Sequence, residues 1–186
     1  MPSIMSHAVV ASSLGAAGAP ERPMPARYWV SLAIVAMLPD ADVAVYPLGL
    51  NAPHILGHRG LTHSLAFAVI MAAFVVRVLF RDRTWHAVWP RLWVVYFAAI
   101  ASHGLLDAFT NGGQGIAFLA PLSAGRWHAP WQPILVSPIG VGAFLSEYGL
   151  RVLQNEMLWL WLPSILVALT ARLARRRASR DKRIAA

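Results

Sequence analysis

Four short strings place histidine and aspartate in a chain that is otherwise strongly apolar: Ser6-His7, Leu38-Pro39-Asp40-Ala41-Asp42, His58-Arg59-Gly60-Leu61-Thr62-His63-Ser64 and Ser102-His103-Gly104-Leu105-Leu106-Asp107. Ionisable groups beside or inside bilayer-length apolar runs are costly and usually mark a working site. Imidazoles and carboxylates together form the ligand set of zinc and similar hydrolytic metal centres.

Each string has its own chemistry. His103 and Asp107 are four positions apart, so both project from one face of a helix. They either share one metal ion or one orients the other; the plain alternative is an Asp–His hydrogen bond that locks a helix. His58 and His63, five apart, would sit on different helical faces, but Gly60 permits a turn between them. Thr62 is expected as the N-cap of the helix that follows, which puts His63 near the positive helix end, where a neutral, metal-competent ring is favoured. Arg59 suits a phosphate or carboxylate, because guanidinium binds oxyanions bidentately; the alternative is an interfacial loop that merely carries polar groups.

Asp40 and Asp42 follow Pro39, where a helix must break. Such a pair can hold or bridge metal ions, one can orient a histidine, or both can be a solvated helix end. Glu156 is a candidate general base on a metal-activated water, against the simpler role of a helix-end charge. His7 carries weight only through its position. His86 falls in a basic loop and is set aside, His128 lies where it could meet substrate or the membrane interface, and His54 has no supporting motif.

Five apolar runs must position these groups: residues 8–19, 28–50, 64–80, 92–109 and 157–169. Several are shorter than the roughly 20 residues a perpendicular span requires. The expected fold is all-α, a helical membrane bundle of about five apolar helices, some short or half-immersed. Residues 1–171 would be a membrane-embedded, metal-dependent hydrolase-like domain and residues 172–186 a basic cytoplasmic tail. Ala17-Gly18-Ala19 resembles a signal cleavage site, but no Lys or Arg precedes it and Pro20 follows, so the first run is expected to be a retained helix. The Gly/Pro-rich stretch 110–156 is too long for a simple turn, and long ordered loops are often functional.

Composition supports a membrane setting. Of 186 residues, 58% are hydrophobic and 13% charged, against roughly 25% charged in soluble domains. Net charge is +8, with fifteen of sixteen basic residues arginine. That balance could suit nucleic acid, but the arginines flank apolar runs as cytoplasmic flanks do, and anionic headgroups account for the basic tail; no specific nucleic acid partner is expected. The absence of cysteine excludes disulfides, Cys-based zinc sites and a thiol nucleophile. With the tail cytoplasmic and the runs alternating, thirteen of the sixteen basic residues fall inside, leaving only Arg59, Arg126 and Arg151 outside. The same assignment carries His7, Asp40, Asp42, His58, His63, His103 and Asp107 to one extracytoplasmic end.

With these strings assembled, the chain resembles the YdjM-like family of membrane-bound, metal-dependent hydrolases. Thr110-Asn111-Gly112-Gly113 and the stretch from Trp131-Gln132-Pro133-Ile134 to Ser137-Pro138-Ile139-Gly140 carry the likeness further. The resemblance implies a bacterial-type inner membrane location. It also implies a distant similarity to zinc-dependent phospholipases C and single-strand zinc nucleases, which are all-helical phosphodiesterases. By that analogy His103 and Asp107 match a His-x-x-x-Asp pair, His7 an N-terminal ligand, Asp40 or Asp42 a bridging aspartate, and His58 or His63 a further histidine. A second His-x-x-x-Glu/Asp pair is absent from the sequence.

The leading expectation is a membrane-bound hydrolase that binds a divalent metal, zinc first among candidates, and acts on a phosphoester or lipid-like substrate at the bilayer. Asp40, Arg59 and Glu156 would serve catalysis; His7, Asp40, Asp42, His58, His63, His103 and Asp107 would supply metal ligands. The rival is a non-catalytic transporter or assembly factor with a structural or regulatory metal site.

Overall fold

A computed structural model of the chain describes residues 1–49, 54–138 and 140–184; Leu50, at the end of the second apolar run, and Ile139, in the late loop motif, lie outside the described residues. The described chain is all-helical, 67% helix with no strands. Its elements are α1 (Ile4–Gly18), α2 (Ala26–Met37), α3 (Leu65–Leu79), α4 (Arg83–His86), α5 (Trp89–Ala108), α6 (Val141–Phe144), α7 (Glu147–Glu156) and α8 (Leu162–Ile184).

Proline and capping chemistry decide where these helices stop and start. Pro39 has no N–H to donate to the helical ladder, and although Leu38 keeps α-helical torsions, α2 ends at Met37 and the chain tightens into a 3-10 helix, Leu38–Leu48. The second apolar run is therefore a short α-helix plus a 3-10 segment that carries both aspartates. Helix α3 is capped by Ser64, whose hydroxyl accepts from Phe67 N at 3.1 Å. This corrects the expectation for Thr62: residues Leu61–His63 form a 3-10 turn, and the Thr62 hydroxyl donates to Asp42 instead.

The fifth run also begins earlier than its apolar residues suggest. Ser146 caps α7 by accepting from Gly149 N, and Glu147 complements the positive helix end. A π-helical turn, Met157–Trp161, joins α7 to α8 just before Pro163, which cannot complete an ordinary ladder. The resulting helix, Glu147–Ala178, has the length and composition to cross a membrane, and only 11% of its most apolar window is buried within the protein. A core helix of a soluble protein would be covered; this one shows its apolar side chains outward. Helices Ile4–Gly18 and Leu65–Leu79 are apolar but shorter, about 22 Å each at 1.5 Å per residue. Among the described residues a bundle of five full spans is therefore not seen. The basic segment from Arg172 onward continues α8 to Ile184.

Helix α1 packs against α2, α5 and α8, while α3 and α2 both lie on α5. Small residues line these contacts, with Ala11, Ala36, Ala68, Ala72 and Ala99 all fully buried, as expected where helices approach closely in lipid. The large apolar side chains Ile70, Phe74, Val30 and Val94 face outward. Direction along the bundle then matters most. Arg91 and Arg175 donate to carbonyls at the C-terminal end of α1, and Arg27 and Arg77 lie over Phe80, Trp85 and Trp89. These four arginines gather at that end. His7, Asp40, His63, His103 and Asp107 gather at the other.

Candidate metal centre

Four elements deliver the cluster. The N-terminal half of α1 supplies His7, fully buried and stacked on His103 with ring centroids 3.7 Å apart. Helix α5 supplies His103 and Asp107 one turn apart. The 3-10 helix supplies Asp40 and Asp42, whose spacing of two at three residues per turn sends the carboxylates in different directions. The loop before α3 supplies His58, Arg59 and His63.

His63 lies between the two aspartates. Its Nδ1 is 3.2 Å from Asp42 Oδ2 and its Nε2 is 3.7 Å from Asp40 Oδ1. Thr62 donates to Asp42 Oδ2 at 2.7 Å, and its oxygen lies 3.0 Å from His63 Nδ1. His63 Nδ1–H therefore has two acceptors. His103 is oriented the same way, because its Nδ1 faces the Ala36 carbonyl at 2.7 Å and a carbonyl can only accept. When neutral, each ring is held with its proton on Nδ1, which leaves its Nε2 lone pair pointing into the cluster.

Those lone pairs meet other acceptors. His103 Nε2 lies 3.1 Å from His63 Nε2 and 3.2 Å from Asp40 Oδ1. His63 Nε2 is 3.7 Å from Asp107 Oδ2, and His7 Nε2 is 3.6 Å from Asp107 Oδ1. Among the described residues, Asp40 Oδ2, both Asp107 oxygens and both His7 nitrogens are buried without a hydrogen-bond partner, although Asp107 Oδ2 has the Arg59 guanidinium beside it as an ion pair. Acceptors so close in a water-excluded space repel unless a proton or a metal cation lies between them. Ligand atoms at about 2.1 Å from a tetrahedral ion are themselves roughly 3.4 Å apart, which matches these spacings. The Asp40, His63, His103 and Asp107 ligand atoms could hold a metal ion; Asp42, His58 and His63 form a second such group that shares His63.

Glycine and a left-handed arginine allow the approach. A Cβ at Gly104 would stand 2.8 Å from the His63 carbonyl oxygen, so its absence lets α5 pass close to the loop. Arg59 has φ 64°, unusual for a side chain of its size. Its Nε pairs with Asp107 Oδ2 at 3.1 Å, one terminal nitrogen donates to Gly112 O at 2.7 Å, and the other donates to Thr110 Oγ1 at 3.0 Å. Gly113, at φ 93°, leaves the space this guanidinium fills. All three guanidinium nitrogens are thus engaged within the protein, so Arg59 is placed to orient Asp107 rather than to clamp an anion.

The electrostatics follow the geometry. Burial opposes ionisation of Asp40 and Asp42, but hydrogen bonds and charge from His103 and His63 on the first, and from His58 and His63 on the second, outweigh it. Both carboxyls are held below the usual range. Burial also opposes a charged His63, yet its contacts with Asp40, Asp42 and Asp107 push it up to about 9. Both shifts express one preference, for positive charge at this point.

Glu156 does not join the cluster. It is fully buried and accepts from Ser3 N, Ser3 Oγ and, at 2.7 Å, Ser6 Oγ, which ties the start of α1 to α7. The sequence offered it as a base; in the structure its oxygens are held by Ser3 and Ser6 at the start of α1. His58 is half-buried, with Nδ1 2.7 Å from Asp42 Oδ1. His54, His86 and His128 make local contacts with Leu56, Arg81 and Gln132, outside the cluster. Two supports had no separate signal in the strings. Arg126 donates to the carbonyls of His54, His58, Arg59 and Gly115 and so fastens the loop. Thr110 helps hold Arg59; its place beside Asn111-Gly112-Gly113 was the available hint.

The YdjM inner membrane protein family model matches residues 1–178. The chain is 39% identical over 168 residues to the inner membrane protein YbcI of Escherichia coli (strain K12), covering 90% of this chain and 95% of that protein. No solved structure gives a significant match. With nearly its whole length matched by family and relative alike, and an outward-facing apolar helix consistent with both, the chain belongs to the YdjM inner membrane protein family.

Proposed function

We propose that this protein is a metal-dependent hydrolase of the inner membrane, acting at the bilayer surface on a phosphoester or another amphiphilic substrate. The observation that carries the metal is the convergence of the His63 and His103 Nε2 atoms and an Asp40 oxygen, 3.1–3.7 Å apart, in the company of a buried Asp107. A His/Asp donor set without sulfur suits zinc, and manganese or iron less selectively. Once bound, a divalent ion supplies Lewis acidity and lowers the pKa of water. Asp40, His63, His103 and Asp107 would hold it, with His7 beside them. Asp42, Thr62 and the Ala36 carbonyl would keep the two rings in the binding tautomer, and Arg59 would steady Asp107.

The site's position at one end of the bundle supports a substrate that reaches it from the membrane surface. The charge distribution supports an extracytoplasmic placement of that end. A second reading is favoured by the closure of the cluster, where His7 and His103 are fully buried and Asp107 is 1% exposed. Structural metal sites are closed, whereas catalytic ones keep an open position. On that reading the ion staples α1, α5 and the 3-10 helix without turnover.

Metal analysis of the purified protein beside His63→Ala/His103→Ala tests the common part. Stoichiometric metal in the wild type and its loss in the variant are expected; equal content in both would remove the site. Hydrolysis of bis(p-nitrophenyl) phosphate by the metal-loaded protein then separates the readings. Turnover abolished by chelation supports the hydrolase. Chelation that lowers the melting temperature of a protein with no turnover supports the staple.

A further inference from the structure

The opposite end of the bundle carries a cavity of about 700 Å³ between the α1–α2 connection and α8. Arg22, Arg172, Arg175 and Arg176 line it, with Glu21 as the one acidic side chain and Trp29 at its wall. Two of these arginines are fixed by the fold. Arg175 donates to the Ala16 and Ala17 carbonyls, and Arg22 donates to Thr84 O at 2.9 Å while lying 3.9 Å over the Trp85 ring. Arg172 and Arg176, one turn apart on α8, form no ion pair with an acidic side chain among the described residues. The pocket therefore presents a net positive field, four arginines against one glutamate, with Arg22 and Arg175 held by the fold and Arg172 and Arg176 exposed beside them.

A second hollow, about 440 Å³, continues from it and shares Ala16 and Arg172 with it. This one is a groove between α1 and α8, walled by Ala8, Ser12 and Ala16 on one side and by Ile165 and Leu169 on the other. Residues 8, 12 and 16 fall on one helix face, so the groove runs along the bundle for about 12 Å. Its walls are small or apolar, and it lies against the helix whose apolar surface faces outward.

Cationic donors at the mouth and an apolar channel behind them describe one amphiphile. A free phosphate would fill the first hollow and leave the second bare; a neutral lipid would leave the arginines uncompensated. Basic pockets between helices at the cytoplasmic face are where anionic headgroups bind, and the arginine-rich end is the one that charge bias places there. We propose that this pocket and groove bind one anionic phospholipid, its phosphate among Arg22, Arg172 and Arg176 and one acyl chain between α1 and α8. The site stands apart from the His/Asp cluster and does not depend on its chemistry.

The test uses the full chain in a neutral detergent, with thermal stability and native mass spectrometry as readouts. Phosphatidylglycerol, phosphatidylcholine and inorganic phosphate are added separately. The wild type should bind phosphatidylglycerol at least fivefold more tightly than phosphatidylcholine and gain stability from it, with little effect of phosphate alone. Arg172→Gln/Arg176→Gln should lose that preference at least fivefold, and Arg172→Lys/Arg176→Lys should keep most of it. Arg151→Gln/Arg177→Gln, which removes the same charge elsewhere, should retain it. No preference for the anionic lipid, equal protection by phosphate, or equal loss in both glutamine pairs would overturn the proposal.

Discussion

At the scale of single residues, His63 is the group on which the cluster turns. Both of its nitrogens face carboxylates, so in the metal-free protein it holds a proton up to about pH 9, against an ordinary value of 6.5. A folded-state value raised in this way contributes stability that is complete below pH 6.5 and lost as pH climbs through 9. A metal needs the neutral ring, so uptake must expel that proton. Metal affinity is therefore expected to rise between pH 6.5 and 9, while metal-free stability falls over the same window. Asp42→Asn removes one of the carboxylates that hold the proton and the acceptor that orients the ring. It should move the window toward 6.5 and, above about pH 9 where the ring is neutral in both proteins, weaken uptake roughly 10–100-fold, the usual cost of losing an orienting partner. Competitive chelator titrations across pH, in wild type and variant, check this; an unchanged window together with an unchanged affinity above pH 9 would mean that Asp42 has no part in holding His63.

At the scale of elements, the cluster depends on how closely α5 passes the loop before α3. Gly104 faces the His63 carbonyl, and an added Cβ would meet that oxygen at 2.8 Å and Ile116 and Phe118 side chains at 3.3 Å. A backbone oxygen cannot swing aside, so Gly104→Ala should separate His63 from His103. The expected cost is about 1–3 kcal/mol of stability, with metal content reduced in step. Gly142→Ala, where nothing lies within 4 Å, should leave metal content as in the wild type. Melting temperature and metal content of both variants decide the matter.

This dependence also explains what the sequence could and could not reveal. The spacing of His103 and Asp107 was readable because helical periodicity translates directly into a shared face, and Pro39 marked the break that carries Asp40 and Asp42. Tertiary choices were not readable. Thr62 and Ser64 are both competent caps, and only the position of Asp42 draws Thr62 away. Arg59 has the chemistry of an anion clamp, but Asp107, Thr110 and Gly112 reach it first. Glu156 stood beside an apolar run with nothing to signal Ser3 and Ser6, some 150 positions earlier in the chain. The polar face of α7 concealed that it continues into the outward-facing helix.

At the scale of the molecule, charge and cluster occupy opposite ends, which makes orientation measurable. Helix 147–178 is the one described helix with the length and composition to cross the bilayer. Its basic end lies with the arginines around α1's C-terminus, whereas the loop after α5 packs over the cluster, with Leu65 N donating to Phe118 O and Ala117 N to Arg59 O. Lys and Arg bias sets orientation through loops retained in the cytoplasm, so the arginine end should face inward and the cluster outward. The chain has no cysteine, so single replacements report cleanly. Leu122→Cys, at a position 93% exposed in the cluster-side loop, should react with a membrane-impermeant maleimide in intact spheroplasts. Arg177→Cys, near the far end of α8, should react only after lysis. The reverse pattern would turn the molecule over and bring the His/Asp cluster to the cytoplasm, where a hydrolase would meet an entirely different set of phosphoesters. Labelling of both from one side would mean that helix 147–178 lies along the membrane instead of through it.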